Sequence, residues 1–260
     1  MKPTQTLRGA VTLALAPILT FFVSLFALID LLWVRRDERL AQRFPRWWGR
    51  AICKLAGVRV RVEGLDNLDP RATYVYAGNH ASQFDIFAFQ GHFPHDFRWL
   101  AKKELFRLPV FGRAMRRAGY IPVDRSNSRE AMKSLNEAAA RIAAGKSVLI
   151  FPEGTRSADG RLKDFKGGAV LLAVRAGVPV VPLGFNGSHR ILPKGKWLPE
   201  RGEIVIRIGR PIETRGLTGK DKQQLADDLR RAVAALLDEA HQPLPEPERT
   251  AETPREAPSC

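Results

Sequence analysis

Residues 74–85 read Tyr74-Val75-Tyr76-Ala77-Gly78-Asn79-His80-Ala81-Ser82-Gln83-Phe84-Asp85. A short apolar run ends in Gly-Asn, and four residues separate the following histidine from an aspartate. The run reads as a buried strand and Gly78-Asn79 as the turn that closes it. Ser82 is a candidate N-cap for a helix beginning near Gln83. In a continuous helix, residues five apart point about 140° away from each other. His80 and Asp85 therefore meet only if His80 lies in the loop and Asp85 faces back from the first helical turn. In that arrangement the carboxylate holds one imidazole nitrogen and leaves the other to take a proton. Taken alone, the spacing also describes a capping serine, a buried polar histidine and a first-turn aspartate favoured by the helix dipole. Companions elsewhere in the chain decide between the two.

Outward from this stretch, strand and helix patterns alternate. Residues 58–62 alternate as a half-exposed strand, and 97–101, 119–125, 147–151, 178–183 and 203–209 carry further strand patterns. Residues 110–118, 128–144, 167–176 and 220–240 read as helices. This alternation predicts an α/β layered fold with a central, largely parallel or mixed sheet flanked by helices. Three segments follow: residues 1–50, hydrophobic then basic; 51–240, the α/β domain; and 241–260, a tail rich in Pro and Glu that reads as disordered.

The first segment holds residues 10–29 without a charge, just the length that spans a bilayer. No small-x-small cleavage site follows, which argues against a signal peptide. Pro17 is positioned to break the run into two half-helices lying in one leaflet. Arg35, Arg36, Arg39, Arg43, Arg46 and Arg50 come next, placing the downstream domain on the cytoplasmic face of a membrane. Trp47 and Trp48 suit either a membrane interface or helix packing. The net charge of +15 calls for an anionic partner. No nucleic-acid motif accompanies it, so membrane lipid is the expected partner and nucleic acid is not. Cys53 and Cys260 are too few for a disulfide framework.

Three loops that follow expected strands carry residues suited to a site: 79–85, Arg125 and 153–156. In open α/β sheets, ligands gather at the carboxyl ends of strands. With Phe151-Pro152-Glu153-Gly154-Thr155-Arg156-Ser157, the chain resembles the glycerolipid acyltransferase family, most closely 1-acylglycerol-3-phosphate acyltransferases. The family's blocks stand here in order: Asn79-His80 with Asp85, then 119–125 (GYIPVDR), 153–156 (EGTR) and 178–183 (VPVVPL). Lys102-Lys103-Glu104-Leu105 and Phe165-Lys166-Gly167-Gly168-Ala169 resemble its linking segments. The likeness covers roughly residues 55–210.

The resemblance implies acyl transfer from a thioester, on CoA or acyl carrier protein, to a hydroxyl of a phosphorylated glycerol such as lysophosphatidate. It implies no cofactor beyond that co-substrate and no metal. The residue types suit the chemistry. A hydroxyl is a weak nucleophile, and a positioned base contributes about 10²–10⁴-fold. His80 is the candidate base and Asp85 its orienting partner. Arg156 offers paired donors to a phosphate, and Gly154, beside Thr155, allows close backbone approach. Glu153 either orients Arg156 or caps the next turn. Arg125 is a second phosphate candidate or a solvated arginine at a sheet edge. Lys102 and Lys103 are equal candidates to assist.

Other signals fail on inspection. Gly145-Lys146-Ser147 imitates the end of a P-loop, but Ala140 stands where the first glycine belongs and a strand follows instead of preceding. Ser82 lies too close to His80 for a hydrolase triad, and no G-x-S-x-G elbow exists. His92 and His95 lack a third ligand nearby. An acyltransferase for another acceptor and a non-catalytic membrane-binding protein remain as alternatives.

Overall fold

The computed structural model describes residues 3–30, 42–124 and 128–243. Seven strands form one sheet: β1 (Val58–Glu63), β2 (Val75–Gly78), β3 (Arg98–Lys102), β4 (Ile121–Val123), β5 (Val148–Ile150), β6 (Val180–Asn186) and β7 (Gly202–Ile208). Their order is β1-β7-β6-β2-β5-β3-β4. The five strands from β6 to β4 run parallel, and β7 turns antiparallel to β6 while pairing parallel with β1. The sheet is mixed with a parallel centre, as the alternating pattern implies. Every residue of β2, β5 and β6 is buried, because central parallel strands are covered on both faces. Edge strand β1 keeps its alternation, with Arg59 exposed.

The period-two pleat sorts side chains into two cores. Tyr76 points to an aromatic core with Phe89, Phe93, Phe97, Trp99 and Phe185, covered by α2 (Arg43–Ala56), α3 (Phe84–His92) and α4 (Phe111–Arg117). Its neighbours Val75 and Ala77 point to an aliphatic core closed by α5 (Ser128–Ala143), α6 (Gly167–Ala176) and α8 (Lys222–Ala234). The short helix α7 (Ser188–Ile191) follows β6. Helices α2 and α3 cross at paired glycines: a β-carbon on Gly49 would sit 2.6 Å from the Gly91 nitrogen. Only glycine permits that approach.

Helix α1 (Pro3–Ile29) runs unbroken through Pro17, so the expected split into two half-helices does not occur. Proline costs the helix one hydrogen bond, and the remaining turns carry it. At about 1.5 Å per residue, α1 is about 40 Å long. It lies along the domain, packed on α2 and α4. The two tryptophans divide the two readings between them. Trp48 Nε1 donates to Thr20 Oγ1 at 2.9 Å and its ring meets Phe87 edge-on, whereas Trp47 is exposed. The arginine run divides likewise. Arg46 donates to the carbonyls of Pro94 and His95, and Arg50 to Gly91 O at 2.6 Å, both at the carboxyl end of α3. Arg35, Arg36 and Arg39 lie outside the described residues.

The domain boundary drawn before His241 falls inside packed structure. His241 is buried, accepts from the Gly187 N–H at 3.0 Å through Nε2, and uses Nδ1 to reach Gly160 O at 2.9 Å. Residues 244–260 lie outside the described part. Composition separates folded from unfolded chain only where apolar residues signal a core, and a histidine satisfied by two backbone groups gives no such signal.

Candidate active site

The carboxyl ends of β2 and β5 lie side by side at the middle of the sheet, with Ala77 opposite Ile150. The chains leaving them build the site. Asn79 extends β2 with its side chain: Oδ1 accepts from Phe185 N–H at 2.7 Å and Nδ2 donates to Phe185 O at 3.0 Å. This amide replaces a backbone rung toward β6 and frees the chain to turn at His80.

His80 lies in the loop and Asp85 in the first turn of α3, the arrangement the spacing requires. His80 Nδ1 and Asp85 Oδ2 are 2.8 Å apart. The same oxygen accepts from the backbone N–H groups of Ala81 and Ser82, each at 2.9 Å. A carboxylate oxygen only accepts, so Nδ1 carries the proton and Nε2 is left as the acceptor. Asp85 is fully buried, while 12% of the His80 side chain remains accessible. The imidazole stacks on Phe151, the first residue after β5, at 3.9 Å between centroids and 8° between planes. Ser82 Oγ accepts from Phe84 N–H at 3.1 Å and donates to Leu192 O at 2.9 Å, capping α3 and fastening it to the end of α7.

Glu153 has a partner that neither expectation named. Its Oε1 accepts from the His80 backbone N–H at 2.8 Å. Two residues past Thr155, Ser157 N–H donates to His80 O at 2.7 Å. Both backbone groups of His80 are thus tied to residues 153–157. Glu153 fixes the His80 backbone, and no bond from its carboxylate to Arg156 is seen among the described residues. Burial pushes its carboxyl up to about 7, against the pull of the His80 N–H and the Lys163 charge; Asp85 adds to the upward push.

Arg156 sits half-buried in the segment that clasps His80. Thr155 is exposed, and its Oγ1 accepts from Lys163 Nζ at 3.2 Å. Lys163 also reaches Arg156 O at 3.4 Å. Gly154 has a φ of +80°, and a β-carbon there would stand 3.2 Å from Lys166 Nζ. Residues 154–166 therefore bring Lys163 and Lys166 against the segment that carries Arg156 and clasps His80. Lys163 and Lys166 were not singled out from the sequence, although Lys166 lies in a segment quoted for the resemblance. Lys102 and Lys103, left equal by the sequence, differ here. Lys103 Nζ pairs with Asp124 Oδ2 at 2.7 Å, while Lys102, exposed at the carboxyl end of β3, has no ion pair among the described residues. Arg125 lies outside the described residues.

A family model described as Acyltransferase matches residues 59–186. A chloroplastic 1-acyl-sn-glycerol-3-phosphate acyltransferase of Arabidopsis thaliana is 30% identical over 243 residues, 92% of this chain and 67% of that one. This chain belongs to the acyltransferase family. A 1-acyl-sn-glycerol-3-phosphate acyltransferase of Chlamydomonas reinhardtii is 33% identical over 84% of the chain, and the human alpha enzyme of that name 33% identical over 71%. The chain spans 65% and 66% of the length of those two, just under two thirds. The crystal structure of the 1-acyl-sn-glycerophosphate acyltransferase PlsC from Thermotoga maritima superposes with a TM-score of 0.76 at 26% identity, covering 91% of this chain and 98% of that one. The family match includes β2, β5 and every acyltransferase block from His80 to Arg156.

Proposed function

We propose that the protein transfers a fatty acyl group from a thioester, on CoA or acyl carrier protein, to the free sn-2 hydroxyl of 1-acylglycerol 3-phosphate, yielding phosphatidate. One observation carries this reading: the His80–Asp85 pair is held by the same five-residue segment that presents Arg156.

His80 Nε2 takes the proton of the acceptor hydroxyl as its oxygen attacks the thioester carbonyl. Asp85 stabilises the imidazolium that forms. The tetrahedral intermediate collapses with cleavage of the C–S bond, and the imidazolium returns the proton to the leaving thiolate. No covalent acyl-enzyme is needed, because the nucleophile belongs to the lipid. Arg156, with Lys163 and Lys166 beside it, supplies the positive charge for the acceptor phosphate. The thioester is the co-substrate, and no further cofactor enters these steps.

Helix α1 is the proposed membrane attachment, with the domain at the cytoplasmic surface. Its packing along the domain favours a helix held at the surface over one that leaves the domain to cross the bilayer. The full-length protein, supplied with labelled acyl thioester and a panel of lysophosphatidate, glycerol 3-phosphate and lysophosphatidylcholine, tests the reading. Label should appear first in phosphatidate. Label reaching only free fatty acid, or preferring glycerol 3-phosphate, would overturn it.

A further inference from the structure

Among the described residues beyond α1, large apolar side chains are exposed singly at Trp47, Met132 and Trp197, and as a close pair only in one short stretch. Leu105 and Leu108 are 39% and 49% accessible, on and just after the 3-10 turn Lys103–Arg107 that links β3 to α4. Around them stand Arg107, Arg113 and Arg117, all exposed, with Glu104 the only carboxylate between residues 103 and 117. Arg116 is engaged inward, donating to Phe106 O with its guanidinium over the Phe106 ring, and Lys103 is paired with Asp124.

The stretch is built to hold its shape. Val110 has a φ of 61°, a costly conformation for a β-branched residue. Gly112 N–H donates to Leu108 O at 2.9 Å and Ala114 N–H to Val110 O at 2.8 Å. A β-carbon on Gly112 would stand 2.3 Å from Phe106 O. The turn therefore presents Leu105 and Leu108 on a rigid support. Helix α4 packs directly against α1, whose outward side carries Leu7, Leu13, Leu15, Ile18, Phe21, Phe22 and Phe26. Just before the turn, β3 ends at Lys102 on the edge of the sheet that holds His80.

We propose that residues 103–117 form a second membrane contact, in which Leu105 and Leu108 enter an anionic bilayer and Arg107, Arg113 and Arg117 meet its phosphates. Apolar side chains ringed by cations suit an anionic lipid surface, and the stretch runs into α4, which packs against α1. The contact turns the carboxyl edge of the sheet toward the membrane that holds the acceptor. This last step rests on the acyltransferase reading; the contact itself does not.

The test places a polarity-sensitive fluorophore on Leu108→Cys in the full-length chain carrying Cys260→Ser; Cys53 is buried and does not compete. Vesicles of phosphatidylcholine and phosphatidylglycerol with brominated chains should blue-shift and quench the dye, while the same dye on Arg231→Cys of α8 stays unchanged. A dye at position 108 that remains solvent-like while the protein sediments with vesicles would overturn the proposal. Replacing Arg107, Arg113 and Arg117 by Gln should weaken vesicle binding by about 10²-fold at low salt; unchanged binding would remove their role. For activity, Leu105→Asp with Leu108→Asp should raise KM for vesicle-borne lysophosphatidate about tenfold and leave a short-chain soluble acceptor unaffected. Equal kinetics on both acceptors would defeat the contact alone, whereas a wild-type protein that acylates neither would defeat the acyltransferase reading.

Discussion

Helices α1 and α8 obey the same periodicity with opposite contents. In α8, Leu225, Ala226, Leu229 and Val233 face inward, and the outer side carries Gln–Asp pairs four residues apart, Gln223 with Asp227 and Gln224 with Asp228. In α1 the inward stripe is mostly small or hydroxylated, with Gly9, Thr12, Ala16, Thr20, Ser24 and Ala27 beside the larger Leu19 and Val23. Thr12, Thr20 and Ser24 return their hydroxyls to the carbonyls four residues back, at 2.6–2.9 Å. Most of the large side chains, Leu13, Leu15, Phe21, Phe22 and Phe26 among them, face outward. Large residues go inward when water is outside, and small residues go inward when lipid is outside, because lipid gives apolar bulk no reason to hide. Polarity read along the chain marks α1 as apolar; the sorting by size is what points to lipid on its outer side.

The largest effect that would break this contrast comes from charging the outer side of α1. Phe21, Phe22 and Phe26 replaced together by Asp should reduce vesicle partitioning by about 10³–10⁴-fold, since each loses on the order of 1.5–2 kcal/mol of apolar transfer. The melting temperature should change far less, because about half of each of these side chains is already exposed. Co-sedimentation measures the first and thermal denaturation the second. Leu229→Ala on α8 should do the reverse, costing about 2–5 kcal/mol of stability in denaturant titration with vesicle binding unchanged. If both substitutions moved both quantities alike, the two helices would not face different solvents.

Glu153 sharpens the contrast from inside the domain. Its carboxyl is raised from 4.5 to about 7 by burial in protein. Between those values the folded state binds more protons than the unfolded one, so stability falls as pH rises, by up to about 3 kcal/mol in all. Glu153→Gln should flatten this slope over pH 5 to 7, to the same degree with and without vesicles. A slope that survives the substitution would place its origin elsewhere. The smallest effect concerns the acceptor's head. Arg156→Lys keeps charge but loses the paired donors, so KM for lysophosphatidate should rise about tenfold with the thioester KM nearly constant. A change confined to the thioester would move Arg156 to the donor side.

Much of the sheet was legible because buried parallel strands are short apolar runs between turn residues. Helix α6 was legible to the residue, since Lys166-Gly167 opens an apolar run and Gly177 closes it. Helix α2 was not, because its sequence, rich in arginine and tryptophan, reads as an interfacial basic run until Gly49 meets Gly91. In the site, His80 and Asp85 were legible from spacing and turn chemistry. The role of Glu153 was not, since its partner is a backbone N–H 73 positions earlier that no side-chain pattern encodes. Asn79 hid for the same reason: its rung to Phe185 exists only once β2 and β6 are neighbours.

The claim that His80 is the base of an acyl transfer is tested most directly by steady-state kinetics of His80→Ala beside Asp85→Asn, with lysophosphatidate and labelled acyl thioester. His80→Ala should lower kcat by about 10²–10⁴-fold with melting temperature and vesicle binding unchanged, and Asp85→Asn should lose less, because the amide still orients the ring without stabilising its charge. Near-wild-type turnover by His80→Ala would contradict the account.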